Sequence, residues 1–114
     1  MTTAVVTRFY LVRDNDGRVC WLAAVTGEGW SQRAYGWVPD LDAFVANDPL
    51  SVDIQIDREL AYEPLSADQA ANVIQEGLIG RLADDQGLHD LLQVMRDEPR
   101  RLDRAVLSGP GCGR

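Results

Sequence analysis

The sequence predicts an α+β domain, with a small antiparallel sheet of three to four strands, one long helix and one shorter C-terminal helix. Its first half contains runs rich in β-branched and aromatic residues, separated by turn formers, which is typical of strands. Its second half has apolar residues at helical spacing after a capping signature. A length of 114 residues corresponds to one domain.

The first two predicted strands are residues 4–13 and 18–26. The DNDG segment between them predicts a tight turn, because Gly17 can adopt the left-handed conformation that closes a hairpin. A calcium loop is excluded by spacing: with Gly17 at the sixth position, Val12 and Ala23 occupy the positions that require acidic ligands.

The turn also predicts how the hairpin is paired. Closure at Asp14 and Arg18 places Leu11 opposite Trp21. Both faces of the hairpin then carry apolar side chains, so we expect one face to be covered and the other to be partly covered.

A third strand is predicted over residues 30–38 and ends at Pro39, which lacks a backbone donor. Asp40 can cap a short helix over residues 41–46, whose apolar positions have helical spacing. Residues 51–57 alternate strictly between apolar and polar, which predicts a half-exposed fourth strand.

Two C-terminal helices follow. Ser66 and Gln69 form a capping box, which predicts the start of a helix extending to about residue 84. Gly87 separates it from a shorter helix over about residues 88–97.

We assign residues 1–107 to the single domain and residues 108–114 to a flexible glycine-rich tail. The two cysteines, Cys20 and Cys112, do not imply a disulfide framework. No apolar run is long enough to span a membrane, and the N-terminus lacks the pattern of a secretory signal. The expected location is therefore the cytoplasm, without a membrane partner.

The net charge of −7 is unevenly distributed. Residues 40–68 contain eight acids and one base, and we call this segment the acidic belt. Such a segment repels phosphates, which argues against nucleic acid as a partner. It could face a basic protein or simply be a solvated surface.

The candidate partner-binding residues are Trp30, Tyr35, Trp37, Asp40 and Asp42. Three large aromatic residues within eight positions form a candidate contact patch, because tryptophan and tyrosine dominate interface hot spots. The alternative is that they cover the core, and for Trp37 this alternative is favoured. The two aspartates resemble a weak metal-binding pair, but helix capping explains them better.

No catalytic residue, metal ligand set or cofactor site is predicted. His89 is the only histidine, and it lies at the start of a predicted helix beside Asp90. The sequence contains no nucleotide-binding loop, nucleophile elbow or zinc motif.

The segments "YLV…DGR…W", "GW…GWVPDLDAF" and "LSADQAANVI" occur in this order over residues 9–76. In this the chain resembles short uncharacterised proteins of actinobacteria. The resemblance implies a hairpin, a tryptophan-bearing strand and a capped helix, and it implies no activity or site residue. HicB-like antitoxins have a similar turn and PDL segment, but there the PDL follows the turn closely, whereas Pro39 comes 22 residues after Gly17.

The expected function is that of a non-enzymatic protein-binding accessory factor, or an inhibitor of the antitoxin type, acting through the aromatic patch and the acidic belt. The alternative is a small-molecule-binding or catalytic domain with its site between the sheet and the long helix. A third alternative is a homodimer formed through a sheet edge or the last helix.

Overall fold

The computed structural model describes residues 7–108, which contain six strands and three α-helices. The strands are β1 (Thr7–Arg13), β2 (Val19–Thr26), β3 (Arg33–Val38), β4 (Ala43–Ala46), β5 (Ala61–Leu65) and β6 (Arg101–Asp103). The helices are α1 (Asp48–Val52), α2 (Ala67–Gln75) and α3 (His89–Asp97). All strands form one antiparallel sheet in the order β5-β1-β2-β3-β4-β6.

The predicted fold class is therefore wrong in its details: the sheet has six strands instead of three to four, and the three helices are all short. One reason lies in residues 41–46, which were predicted to be helical. They form the end of a 3₁₀ turn, Pro39–Leu41, followed by β4. Phe44 and Val45 are buried on opposite faces of the sheet, and only a strand can bury two adjacent residues in this way.

Residues 51–57, the fourth predicted strand, are helical instead. They consist of the end of α1 and a π-helical turn, Asp53–Asp57. The Asn47 side chain caps this helix by accepting a hydrogen bond from the backbone N–H of Leu50 at 3.1 Å. Pro49 lies in the first turn of this helix, where the N–H that proline lacks would have no partner within the helix. Leu50 and Ile54, four residues apart, are the positions buried against the sheet.

The long predicted helix ends early. Helix α2 stops at Gln75, because Gly77 takes a left-handed conformation with φ of 70°. The N–H of Gly77 donates a hydrogen bond to the carbonyl of Ile74 at 3.1 Å. The N–H of Leu78 donates one to the carbonyl of Val73 at 3.3 Å. This pair of hydrogen bonds is the Schellman motif that closes helix ends. The shorter helix, α3, lies where it was predicted.

The hairpin turn is confirmed, with Gly17 at φ of 82°. Its register is not as predicted, because a bulge at Cys20 adds one residue to β2. Leu11 consequently pairs with Leu22, and Trp21 pairs with Val12. Because neighbouring residues of a strand point to opposite faces, this shift moves Trp21 to the other face of the sheet.

The sheet is covered on both faces. Helix α2 covers the first face, whose core contains Phe9, Leu22, Trp37 and Phe44. On the second face, Leu50 and Ile54 of the segment 48–57 pack over β1, β2 and β3, and α3 packs over β3 and β4. Trp21 contacts both clusters of the second face, so it lies at the boundary between these two covering segments.

No helix within residues 7–108 is long and apolar enough to cross a membrane. The predicted tail, apart from Ser108, and Cys112 lie outside the described residues.

Candidate functional site

Trp30 is the most exposed large apolar side chain of the described residues, with 78% of its surface open to solvent. It lies in a 3₁₀ turn, Gly29–Ser31, in which the Ser31 hydroxyl donates to the Glu28 carbonyl at 2.7 Å. The Trp30 carbonyl accepts hydrogen bonds from the side chains of Arg33 and Gln55, each at 3.3 Å. The backbone that carries Trp30 is therefore held in place although its ring is exposed.

Two further exposed apolar side chains belong to the helical segment beside this turn. Val52 is 46% exposed and Ile56 is 61% exposed, and their spacing of four residues places them on one helix face. Gln55 lies between them in the chain and also donates to the Gln32 carbonyl at 2.6 Å, which draws the turn onto the helical segment. We call the surface formed by Trp30, Val52 and Ile56 the Trp30 corner.

A cleft of about 470 Å³ lies at the opposite end of the β2–β3 strand pair. The pairing of these strands ends at Ala23 and Gly36, so the earlier part of β2 and the later part of β3 are not paired with each other. Both of these parts line the cleft, together with the segment 78–85. We call it the Trp21 cleft, and its apolar wall includes Val19, Trp21, Trp37, Leu78, Leu82 and Leu91.

Gly36 determines where the Trp21 ring lies. A Cβ atom at this position would be 2.6 Å from Cε3 of Trp21, which is far inside van der Waals contact. The ring therefore packs directly on the glycine backbone. Trp21 also lines two further surface clefts of about 300 and 360 Å³ on the second face of the sheet.

The polar residues of the Trp21 cleft are Cys20, Arg81, Asp84 and Asp85, all exposed. Partial burial and the nearby Asp14 carboxylate raise the pKa of the Cys20 thiol. The thiol is therefore protonated at neutral pH, whereas the nucleophilic form of cysteine is the thiolate. His89 does not line this cleft, and its Nε2 lies 3.0 Å from the Ala83 carbonyl oxygen.

Asp40 and Asp42 have different roles in the structure. The Asp40 carboxylate accepts hydrogen bonds from the backbone N–H groups of Leu82 at 2.7 Å and Ala83 at 3.0 Å, and its side chain is only 4% exposed. Burial raises the pKa of Asp40, but these amides outweigh it, and the pKa lies below its ordinary value. Asp42 is exposed and pairs with Arg104 at 3.5 Å.

The three aromatic residues of the predicted patch do not share one exposed surface. Trp37 is 3% exposed, and its ring packs edge-on against Phe44 with centroids 5.1 Å apart. Tyr35 is half-buried against the same core cluster, on the face covered by α2. Trp30 alone of the three projects into solvent from a turn.

The acidic belt is likewise divided. Buried Asp53 accepts hydrogen bonds from the backbone N–H groups of Glu59 and Leu60 and from the hydroxyl of Tyr62. Burial, followed by this contact with Asp53, raises the pKa of Tyr62. Asp42, Asp48 and Glu63 pair with arginines. Within residues 7–108, four acids of the belt have no arginine in ion-pair distance: buried Asp53 and the exposed Asp57, Glu59 and Asp68.

The sequence interpretation missed the Trp21 cleft. The contact between Trp21 and Gly36 follows only from the bulge at Cys20, which turns the Trp21 side chain to the opposite face of the sheet. The glycine between Tyr35 and Trp37 was the available signal, because a glycine inside a strand often marks the close approach of another group. Asp84 lies at the end of the predicted long helix and Asp85 directly after it, where nothing in the sequence distinguishes them from solvated acids.

No family model matches this chain, and neither a curated protein nor a solved structure matches it. Within residues 7–108, no three histidine, cysteine, aspartate or glutamate side chains are grouped so that they could hold a metal ion. The interpretation of both surfaces therefore rests on their own geometry.

Proposed function

We propose that this protein is a non-enzymatic binding factor whose Trp30 corner contacts a protein partner. The observation that carries the proposal is the 78% exposure of Trp30 on a backbone fixed by hydrogen bonds. Covering this ring would remove apolar surface that contributes roughly 3 kcal/mol to binding. Tryptophan is one of the residue types that most often form the hot spots of protein interfaces.

The rigidity of the corner supports the proposal. The capped turn and the Gln55 hydrogen bonds hold the Trp30 backbone against the helical segment that carries Val52 and Ile56 before any partner arrives. A preformed surface loses little conformational entropy on binding, so more of the contact energy appears as affinity. An exposed ring on a turn offers contact area but little enclosure, which suits a macromolecular partner better than a small ligand.

The charge of the chain supports a basic partner. The net charge is −7, and Asp57, beside Ile56, is one of the belt acids without an arginine partner within residues 7–108. Negative potential accelerates association with a basic protein and repels nucleic acid phosphates. An accessory factor, or an inhibitor of the antitoxin type, acting in the cytoplasm fits these properties.

The test is affinity capture from a lysate of the source organism with three tagged chains: wild type, Trp30→Ala and the control Val94→Ala. Val94 is also an exposed apolar residue, but it lies on α3. We expect wild type and Val94→Ala to retain the same basic protein, and Trp30→Ala to retain at least about tenfold less. Retention should also fall as salt rises, because the charged contacts are screened.

Two results would contradict the proposal. One is equal capture by wild type and Trp30→Ala at all salt concentrations. The other is a wild-type dimer in light scattering that Trp30→Ala converts to a monomer, since the corner would then be occupied by a second copy of the chain.

A further inference from the structure

The Trp21 cleft carries an inference that is independent of the Trp30 corner. Its volume of about 470 Å³ lies within the range of small-molecule sites, roughly 300–1,000 Å³. Its wall contains two tryptophans and several aliphatic side chains, and its charged groups are confined to the segment 81–85. An apolar wall with a few polar groups at one side is the usual composition of a ligand site.

The charged groups of the cleft are not equivalent. Arg81 is drawn towards Asp40, with Nε 3.9 Å from Oδ2. Asp85 uses one carboxylate oxygen to accept a hydrogen bond from the N–H of Gly87 at 2.9 Å. Asp84 has no arginine within ion-pair distance among residues 7–108. The cleft therefore offers an uncompensated carboxylate next to an apolar wall.

We propose that the Trp21 cleft binds a small organic amine with a planar apolar body. The body lies against the Trp21 ring, and the ammonium group pairs with Asp84. Tryptophan is the best side chain for contacting both a planar ring and a cation. The surplus of negative charge, at Asp84 and over the whole chain, selects a cationic ligand over an anionic one of the same shape.

The cleft is held in shape by contacts on both of its sides. The Asp40 carboxylate fixes the backbone of Leu82 and Ala83, so the segment carrying Asp84 is held over the diverging strands. Gly36 lets the Trp21 ring, which lines the cleft, lie directly on the sheet. These contacts preform the cleft, which favours binding of a rigid small molecule.

The first measurement compares tryptamine with indole-3-propionate, which has a similar shape and the opposite charge. Binding is followed by chemical shifts of backbone amides in the full chain. We expect tryptamine to bind with a Kd below about 1 mM and about five- to tenfold more tightly than the carboxylate. The Asp84→Asn variant should lose this preference, while Asp90→Asn, which removes an exposed acid on α3 outside the cleft, should keep it.

The second measurement uses Cys20, a free and exposed thiol that lines the cleft. In a Cys112→Ser chain, the rate of alkylation of Cys20 by N-ethylmaleimide is measured by mass spectrometry. Saturating tryptamine should slow this reaction several-fold, and indole-3-propionate at the same concentration should not.

The proposal is overturned if neither compound binds below about 1 mM, if both bind equally, or if tryptamine leaves the alkylation rate of Cys20 unchanged. Trp30→Ala should bind tryptamine as wild type does. Failure at the Trp21 cleft is therefore distinguishable from failure of the partner proposal at the Trp30 corner.

Discussion

The Trp30 corner and the Trp21 cleft both present tryptophan, but in opposite surroundings. Trp30 projects from a turn, and its backbone carbonyl is held by two side-chain hydrogen bonds. Trp21 lies on the sheet, packed on Gly36 and between the two covering segments of the second face. The first ring is exposed to solvent, whereas the second lines a cleft.

This difference shows that the same side-chain type can be left exposed or enclosed, depending on the backbone that carries it. An exposed ring on a rigid turn offers contact area to a large partner and little enclosure. A cleft encloses a small molecule on several sides, and a small ligand needs this enclosure to bind with useful affinity. The two surfaces should therefore respond differently to substitution, both in stability and in binding.

The largest contrast in stability is expected between Trp37→Ala and Trp30→Ala. Trp37 is buried beside Phe44, so its truncation should lower the free energy of unfolding by about 3–5 kcal/mol. Trp30 is exposed, so its truncation should change the free energy by no more than about 0.5 kcal/mol. Urea denaturation followed by circular dichroism measures both values.

If Trp37→Ala does not fold, Trp37→Phe provides the comparison, because it keeps an aromatic ring against Phe44 and should lose less. Similar losses for the Trp30 and Trp37 variants would contradict the division between an exposed corner and a buried wall.

The first three strands could be predicted because local signals agree with the tertiary structure there. The β-branched runs form strands, and Gly17 forms the turn between the first two. Residues 39–65 were misassigned because local patterns were ambiguous. Four apolar residues at β4 fit a helix or a strand, and only the neighbouring strands β3 and β6 settle which one forms.

The candidate site was harder to predict, because it depends on register and on exposure. One extra residue at Cys20 moves Trp21 to the face opposite the one expected. The exposure of Trp30 depends on which residues pack beside a turn, and Gln55, which supports that turn, was placed in a strand. The periodicity of apolar residues predicts neither the bulge at Cys20 nor the exposure of Trp30.

The next largest effect is expected for Gly36→Ala. Its Cβ would lie 2.6 Å from the Trp21 ring, so the ring must shift, at a cost of about 1–3 kcal/mol. Gly80→Ala is the control, because nothing lies within 4 Å of a Cβ at that position. The displaced ring should also weaken tryptamine binding, while partner capture through Trp30 stays unchanged. Equal stability of the two glycine variants would show that the position of the Trp21 ring does not depend on the missing side chain of Gly36.

The smallest effect separates Asp40 from Asp42, two residues of one turn. Asp40→Asn replaces one acceptor oxygen with a donating NH2 group and leaves only a neutral amide oxygen. One of the two backbone N–H groups therefore loses its acceptor, which should cost about 1–2 kcal/mol at pH 7. Asp42→Asn removes only an exposed ion pair with Arg104 and should cost less than about 0.5 kcal/mol. Asparagine also tolerates the left-handed conformation of Asp42, at φ of 51°.

The pH dependence tests whether the Asp40 carboxylate is responsible. Its pKa is lowered in the folded state, so its stabilisation is complete above the ordinary value of 3.8 and is lost as the pH falls through the folded value. Urea denaturation should therefore show the stabilities of wild type and Asp40→Asn converging as the pH falls below about 4. A constant difference in stability down to low pH would instead assign the effect of Asp40→Asn to packing. Because Asp40 fixes the segment that carries Asp84, its variant should also weaken tryptamine binding and leave the Trp30 corner intact.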